Sequence, residues 1–197
     1  MIFQPKEWIF NYTLIGMMDL TQMGYSEIRK VTLNDLDQLK KIGRQTFYET
    51  FAESNSEANM KSYLEQEFSE EKLTAQLNNI NAEFYFAIFE EKVVGYVKLN
   101  VGAAQTELQD NNALEIERIY VSKAFHGKGI GQVLYDKAIQ RAEQQGMKYI
   151  WLGVWGENFR AINFYKKNGF VEFDKHIFRF GDEEQTDIMM KRQLNNG

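Results

Sequence analysis

The 197-residue sequence contains no cysteine, a single proline and only two histidines. Without cysteine the chain forms no disulfide, no thiolate–metal site and no cysteine acyl-enzyme. The two histidines, His126 and His176, lie far apart and lack the spacing of metal ligands. The sequence therefore predicts neither thiol chemistry nor a metal site.

Basic residues are outnumbered by acidic ones: 23 Lys and Arg against 28 Asp and Glu give a formal net charge of −5. No run of lysines and arginines forms the basic face that nucleic-acid binders require, so we predict no nucleic-acid partner. An acidic protein suits a cationic partner instead, through an attraction that salt screens.

The sequence also lacks a hydrophobic run that could cross a membrane. Its most apolar segment, residues 8–18, is interrupted by Asn11 and Thr13 and is far shorter than the roughly 20 residues of a span. We predict a cytoplasmic protein without a membrane anchor. Residues 1–25 do not share the periodicity of the remainder and are interpreted as an N-terminal extension of unknown role. An added segment, an interface arm and an upstream translation start all remain open.

Residues 26–194 are predicted to form one mixed α/β domain, since 44% of the chain is hydrophobic. Alternation and helical spacing predict the order β-α-α-α-β-β-β-α-β-α-β-β. The predicted strands are 27–31, 84–89, 93–101, 114–121, 149–155, 171–173 and 187–190. Five helices are predicted. The first is capped by Thr32 or Asn34 and ends at about residue 51, the second and third begin after N-caps at Ser56 and Ser69, and the last two cover 129–143 and 158–167.

A glycine-rich turn, residues 126–131 (HGKGIG), joins a strand to an amphipathic helix. Glycines let a ligand approach the backbone closely, and the helix N-terminus adds positive potential, so a pyrophosphate is the natural occupant. A Walker A loop is excluded because no Gly-Lys-Ser/Thr closes the motif. A Rossmann fingerprint fails because Leu134 stands where its last glycine belongs. A connector without a ligand remains the alternative.

The surroundings of this turn resemble the GNAT superfamily of N-acetyltransferases. The strand EIERIYV (115–121) followed by the turn, and then ENFRAINFYKKNGF (157–170), are similar to the two core motifs of that superfamily. From about Glu27 onward, segments such as RQTFYETF (44–51), GYVKLN (95–100) and GDEEQTD (181–187) resemble the bacterial PaiA-type spermidine/spermine N-acetyltransferases. One position departs from the pattern: the Gln or Arg that opens the phosphate loop in the family is His126 here.

The resemblance implies a GNAT fold, in which a mostly antiparallel, twisted sheet splays at its centre to admit acetyl-CoA. It implies main-chain contacts to the pantetheine arm from Ile119, Tyr120 and Val121. It implies a pyrophosphate site at His126, Gly127, Lys128, Gly129, Ile130 and Gly131. It also implies coenzyme contacts from Asn158, Ala161 and Lys167, and a homodimer, since dimers are common among such folds.

Direct transfer of acetyl to an amine needs a general acid for the leaving thiol and a route for the amine proton. Tyr165, which the resemblance places near the thioester sulfur, is the predicted acid; the alternative is a tyrosine packed beside Phe164. Glu117 is the predicted base, acting through water, on the strand face that alternation assigns to Glu115 and Ile119. The alternatives for Glu117 are a solvated carboxylate or an ion-pair partner of Arg118 or a lysine.

The acceptor is predicted to be a small amine, with polyamines as the leading class through the resemblance alone. Candidate substrate contacts are Phe47, Glu49, Phe51, Glu53 and Glu107. The phenylalanines fit the core stripe of their helix equally well, the carboxylates fit a solvated surface, and Trp151 and Trp155 are interpreted as packing residues. Other acceptors (a protein N-terminus, an amino acid, an aminoglycoside), a non-catalytic acyl-CoA-binding module and a structural domain remain alternatives.

Overall fold

The computed structural model describes residues 25–181 and 183–194, and their elements follow the predicted order. The strands are β1 (Tyr25–Lys30), β2 (Ala82–Phe89), β3 (Lys92–Val101), β4 (Ala113–Val121), β5 (Tyr149–Trp155), β6 (Val171–Phe180) and β7 (Glu183–Gln193). The α-helices of these ranges are α1 (Leu36–Phe51), α2 (Glu57–Glu67), α3 (Glu70–Asn78), α4 (Ile130–Gln144) and α5 (Phe159–Lys167). Ser56 and Ser69 cap α2 and α3 as predicted. The predicted N-terminal extension lies outside the described residues, apart from Tyr25.

The strands form one sheet in the order β1-β2-β3-β4-β5-β7-β6. Every neighbouring pair is antiparallel except β4 and β5, which run parallel. Only residues 113–115 of β4 pair with residues 149–151 of β5, and the two strands then diverge. The predicted fold class, a mixed and mostly antiparallel sheet that splays at its centre, is confirmed.

Helices cover both faces of the sheet. One core joins α4 and α5 to the sheet through residues such as Leu134, Ala138, Ile162, Val97 and Leu114. The other core joins α1, α2 and α3 to the opposite face through residues such as Leu39, Met60, Leu73, Phe84 and Tyr96. Among the described residues, no helix combines the length and apolarity needed to span a bilayer.

A β-bulge interrupts β4 beside the point of divergence. Lys98 of β3 pairs with Arg118, and the next residue, Leu99, pairs with Ile116. Glu117 is therefore an extra residue with no cross-strand partner. Such a bulge reverses the alternation of side chains beyond it.

The bulge overturns one prediction about strand faces. Alternation predicted that Glu115, Glu117 and Ile119 share a face. The two carboxylates do share one, since both accept hydrogen bonds from Asn100. Ile119, however, packs into the core beneath α4, whereas Tyr120 packs into the core beneath α1. The prediction for Ile119 is wrong because an extra residue cannot be read from alternation.

The closing hairpin is much longer than the predicted 171–173 and 187–190. β6 and β7 stay paired from Val171 opposite Lys191 to Phe180 opposite Glu183. β6 lies at the sheet edge, where exposed polar side chains are tolerated, and its buried last residue, Phe180, packs against the rings of Phe47 and Tyr63. The tip of the hairpin reaches α2, where the Asn59 side chain donates to the Phe180 carbonyl at 3.3 Å.

The turn between β2 and β3 yields a stability prediction. Its two residues, Glu90 and Glu91, both have positive φ (47° and 62°), as in a type I′ turn that favours Asn-Gly. The double substitution Glu90→Asn, Glu91→Gly is expected to raise the free energy of unfolding by about 1 kcal/mol, because the left-handed strain is relieved. Urea denaturation measures the change. The matched control Glu90→Gln, Glu91→Gln removes both charges but keeps the strain; an equal gain in that control contradicts the prediction.

Candidate active site

The divergence of β4 and β5 opens a cleft of about 690 Å³. β4 and the N-terminus of α4 form one wall, and β5, β7 and α5 form the other. At one end lies the glycine-rich turn, and at the other lie aromatic rings and carboxylates contributed by α1, β7 and the segment between β3 and β4.

The glycine-rich turn has the geometry of an anion cradle. Gly127 and Gly129 have φ of 79° and 78°, and Gly129 is the N-cap of the 15-residue α4. A Cβ built on Gly127 or Gly131 meets no atom within 4 Å, so the space before the backbone is open. The first amides of α4 lack intrahelical acceptors and face this space with the positive end of the helix dipole. These residues fit a pyrophosphate.

His126, the departure from the family pattern, joins the two walls at this end. Its Nε2 lies 2.7 Å from the Val121 carbonyl, and the Arg160 guanidinium lies 2.6 Å from its Nδ1. Because arginine only donates, Nδ1 accepts and Nε2 carries the proton that it donates to the carbonyl. His126 therefore bridges β4 and α5, and it contacts the Val121 carbonyl, whose residue was predicted to bind pantetheine.

The structure brings most of the predicted coenzyme residues to the cleft. Those that line it are Ile119, Tyr120, Val121, His126, Gly127, Gly129, Ile130, Gly131, Asn158 and Ala161. The Tyr120 side chain turns towards the aromatic end, so only its backbone faces the coenzyme side. Asn158 caps α5 by accepting from the Ala161 amide at 3.1 Å.

Two further predicted coenzyme contacts, Lys128 and Lys167, lie outside the cleft lining and stay predictions. The Lys128 ammonium lies over the rings of Phe89 and Phe125, at 5.5 and 4.9 Å from their centroids, and does not line the cleft. These cation–π contacts hold the side chain on the outer side of the turn. Lys167 is the last residue of α5, exposed and outside the cleft lining.

Tyr165 of α5 lies in the cleft between its two ends. Only 7% of the residue is exposed, and its ring packs against Phe164 and Phe170. Its hydroxyl makes no hydrogen bond with any described residue and opens on to the cleft. Burial, and secondarily Tyr120, raise the pKa of Tyr165, so the phenol keeps its proton at neutral pH. It can donate that proton to an atom that becomes negative in the cleft.

Glu117 lines the cleft but is bound by cations. Lys98 Nζ lies 2.5 Å from its Oε2, Arg118 Nε lies 3.3 Å from its Oε1, and Asn100 also donates to it at 2.6 Å. Burial alone would raise the pKa of Glu117, but Arg118 and Lys98 outweigh burial and lower it. The alternative of an ion-pair partner is thus what the structure shows. A base role for Glu117 stays a prediction, and the lowered pKa works against it.

The far end of the cleft has aromatic walls. The Phe51 ring lies 4.5 Å from Phe47, 6.4 Å from Tyr120 and 5.9 Å from Trp155. All four residues line the cleft, and Phe47 is also part of the core beneath α1. The two readings of these phenylalanines, cleft wall and core, therefore both hold for Phe47.

The predicted carboxylates differ in placement. Glu49 lines the cleft and accepts from the Lys123 backbone amide at 2.7 Å. Glu107 lines it too, with His176 at 3.4 Å. Glu53 lies outside the lining, its side chain 91% exposed, so it is the solvated alternative.

Sequence reasoning gave no site role to Arg160, His176, Gln185 and Asp187, which are among the residues that line the cleft. Three of them belong to the β6–β7 hairpin, whose extent was underestimated. Gln185 donates to the Asn55 side chain at 2.6 Å and so connects β7 to the segment between α1 and α2. The only sequence signal was the resemblance of residues 181–187 to the PaiA-type enzymes, which assigned them no role.

Comparison with known proteins identifies the class. The sequence profile of the acetyltransferase (GNAT) family matches residues 44–170, which include β4, α4, β5 and α5. The chain therefore belongs to the GNAT family, and it is an N-acetyltransferase.

Individual relatives narrow the resemblance. The chain is 39% identical over 168 residues to an uncharacterised N-acetyltransferase of Lactobacillus delbrueckii subsp. lactis, covering 85% of this chain and 97% of the relative. It is 26% identical over 174 residues to the spermidine N(1)-acetyltransferase of Thermoplasma acidophilum, covering 86% and 98%.

Solved structures of N-acetyltransferases share the fold of this chain. The PaiA N-acetyltransferase of Thermoplasma acidophilum, solved in complex with coenzyme A, superposes with a TM-score of 0.71 at 27% identity, covering 85% of this chain and 98% of that one. A ribosomal-protein-alanine N-acetyltransferase of Brucella melitensis shares the fold, with a TM-score of 0.61 at 22% identity over 86% and 100% of the chains.

The Glu117 ion pairs generate a testable prediction. Glu117→Gln leaves the Lys98 ammonium, whose side chain is 6% exposed, without its nearest carboxylate. We expect the free energy of unfolding to fall by about 3 kcal/mol, because an uncompensated buried charge remains. The double variant Lys98→Met, Glu117→Gln is expected to recover part of that loss in urea denaturation. A Glu117→Gln variant as stable as the wild type contradicts the assignment of a buried pair.

Proposed function

We propose that the protein transfers acetyl from acetyl-CoA directly to a small amine, and that polyamines such as spermidine or spermine are its acceptors. One observation carries the proposal. A single cleft joins an anion cradle at one end to an aromatic and acidic pocket at the other, with the free Tyr165 hydroxyl between them. The coenzyme-A complex of the Thermoplasma relative supports the coenzyme assignment.

The acceptor end suits an alkylammonium ion. Aromatic faces attract cations, and rings of Phe51, Tyr120 and Trp155 meet there. Glu49 of α1, Glu107 between β3 and β4, and Asp187 of β7 add negative charge at the same end of the cleft. A polyamine, with several cationic nitrogens on an apolar chain, matches both features. The name of the spermidine-acetylating relative favours the same class.

Different residues along the cleft bind the coenzyme and position the acceptor. Acetyl-CoA supplies the activated acetyl thioester. The backbone of residues 126–131 holds the pyrophosphate, and the unpaired edge of β4, including Ile119 and Val121, faces the pantetheine arm. Phe47, Phe51, Glu49 and Glu107 position the acceptor. A cytoplasmic location and a homodimer stay predictions from the sequence.

Tyr165 acts as the general acid. Its raised pKa keeps the phenol protonated, and its hydroxyl has no competing partner among the described residues. A proton from Tyr165 neutralises the departing sulfur, which prevents the thiolate from reversing the reaction.

Thiol release from acetyl-CoA against a panel of amines tests the function. The panel contains spermidine, spermine, lysine, an aminoglycoside and a peptide with a free N-terminus. We expect turnover to be strongest with the polyamines, because only they pair several charges with an apolar chain. Turnover confined to another amine replaces the polyamine assignment. Coenzyme binding without turnover on any amine favours a non-catalytic acyl-CoA-binding module.

Tyr165→Phe tests the acid. We expect kcat to fall about 10²- to 10⁴-fold, because the proton donor is removed, with acetyl-CoA affinity unchanged in calorimetry. The control Tyr48→Phe alters a tyrosine that is 55% exposed and outside the cleft lining, and it should retain wild-type turnover. Full activity in Tyr165→Phe removes the assignment.

A further inference from the structure

Asp187 stands in the acceptor end of the cleft and has no role so far. It lies on β7, opposite Trp155 of β5 and His176 of β6, and is half-buried. A Cβ built on Gly153 of β5 would lie 3.7 Å from its Oδ2. Because Gly153 has no side chain, the strand surface beside this carboxylate stays open to the cleft.

Asp187 differs from the other carboxylates of the cleft in lacking a partner. Those others are Glu49, held by the Lys123 amide; Glu67, paired with Arg118; Glu107, beside His176; Glu115, bound by Thr106; and Glu117, paired with Lys98. The Asp187 side chain makes no hydrogen bond and no ion pair with any described residue. A half-buried carboxylate without a partner is costly, and a cation from outside the chain would offset that cost.

The groups that face Asp187 leave it more basic than an ordinary aspartate. Burial raises the pKa of Asp187, Glu107 raises it further, and His176 works in the opposite direction. Across the cleft, Asp187 contributes to the raised pKa of Tyr120, about 12, after burial as the first cause. Tyr120 in turn contributes to the raised pKa of Tyr165, after burial as the first cause.

We propose that Asp187 receives the reacting ammonium group of the acceptor and takes its proton. This inference rests on the proposed acetyl transfer and assigns the base that Glu117, bound by Lys98 and Arg118, is poorly suited to be. The rings of Trp155 and Tyr120 adjoin the position and stabilise the cation before it loses its proton.

The ammonium gives one proton to the Asp187 carboxylate, and the neutral nitrogen attacks the acetyl carbonyl carbon. The new C–N bond forms as the C–S bond breaks, and Tyr165 gives its proton to the leaving sulfur. The second proton of the nitrogen restores the Tyr165 phenol, and the proton on Asp187 leaves to solvent. The net products are the acetamide, the free thiol of coenzyme A and one proton.

The variant Asp187→Asn keeps the shape of the side chain and removes its basicity. At pH 7 we expect kcat/KM to fall about 100-fold for spermidine, whose amines resemble a lysine with a pKa of about 10. For 2,2,2-trifluoroethylamine, which is largely neutral at pH 7, we expect a change of less than about 3-fold, because no proton needs to be removed before attack. The acidic limb of the wild-type profile of kcat/KM, set by protonation of Asp187, should disappear in the variant.

Calorimetry supplies a readout that does not depend on turnover. Spermidine binding to the protein with coenzyme A should weaken about 10-fold or more in Asp187→Asn, while coenzyme A binding stays at the wild-type value and reports the fold. The matched control Asp174→Asn removes an exposed aspartate on β6 outside the cleft lining and should leave every measurement unchanged.

The outcomes distinguish a failure of the Asp187 role from a failure of the proposed acetyl transfer. Equal losses with both amines, an unchanged pH profile, or unchanged spermidine affinity in Asp187→Asn overturn the role of Asp187 while leaving acetyl transfer intact. A wild-type protein that acetylates no amine overturns the proposed function. Spermidine affinity lost in Asp187→Asn would then still place the ammonium at this carboxylate, and retained affinity would overturn that placement too.

Discussion

The separation of β4 from β5 is the constraint on which the rest of the structure depends. Three residue pairs join the strands, and beyond them the facing backbone edges have no strand partner in the middle of a sheet. Backbone amides and carbonyls in such a place need other partners, because an unsatisfied buried group costs about as much as a lost hydrogen bond. The gap is tolerated because His126 takes up one carbonyl and because the remainder faces an open cleft. In the proposed function, the extended arm of the coenzyme completes the pairing that the sheet leaves unfinished.

The bulge at Glu117 controls which side chains reach each end of the cleft. It turns Ile119 and Val121 towards the α4 side and Tyr120 towards the aromatic end. It also places Glu117 between Lys98 and Arg118, whose charges it satisfies. The ion pairs occupy the carboxylate of Glu117, whereas the carboxylate of Asp187 on β7 has no ion pair with a described residue. The bulge thus gives Glu117 a structural role in ion pairs and leaves Asp187 as the candidate for binding a cation in the proposed function.

Local patterns sufficed for much of the fold. The alternation of residues 114–121, the helical spacing of residues 130–142 and the glycines between them predicted the central strand, the turn and α4. The paired motifs predicted the cleft lining from Ile119 to Ala161. The direction of the Lys128 side chain could not be predicted, because a positive charge near a loop in sequence can point to either side of it. For Lys128 the rings of Phe89 and Phe125 decide the direction, and Phe89 lies on a different hairpin.

The order of elements, the glycine-rich turn and the resemblance to the family could be read from the sequence, because these depend on residues close together in the chain. Tertiary structure alone decided the length of the β6–β7 hairpin, the face of Ile119 and the partners of each carboxylate. An edge strand such as β6 exposes most of its side chains and so shows little hydrophobic alternation, and a bulge adds one residue without a sequence signature. Whether a carboxylate is free or paired depends on cations brought from distant strands. Glu117 and Asp187 are both strand carboxylates in the sequence, but in the folded chain Glu117 is paired with Lys98 and Arg118, whereas Asp187 has no ion pair with a described residue.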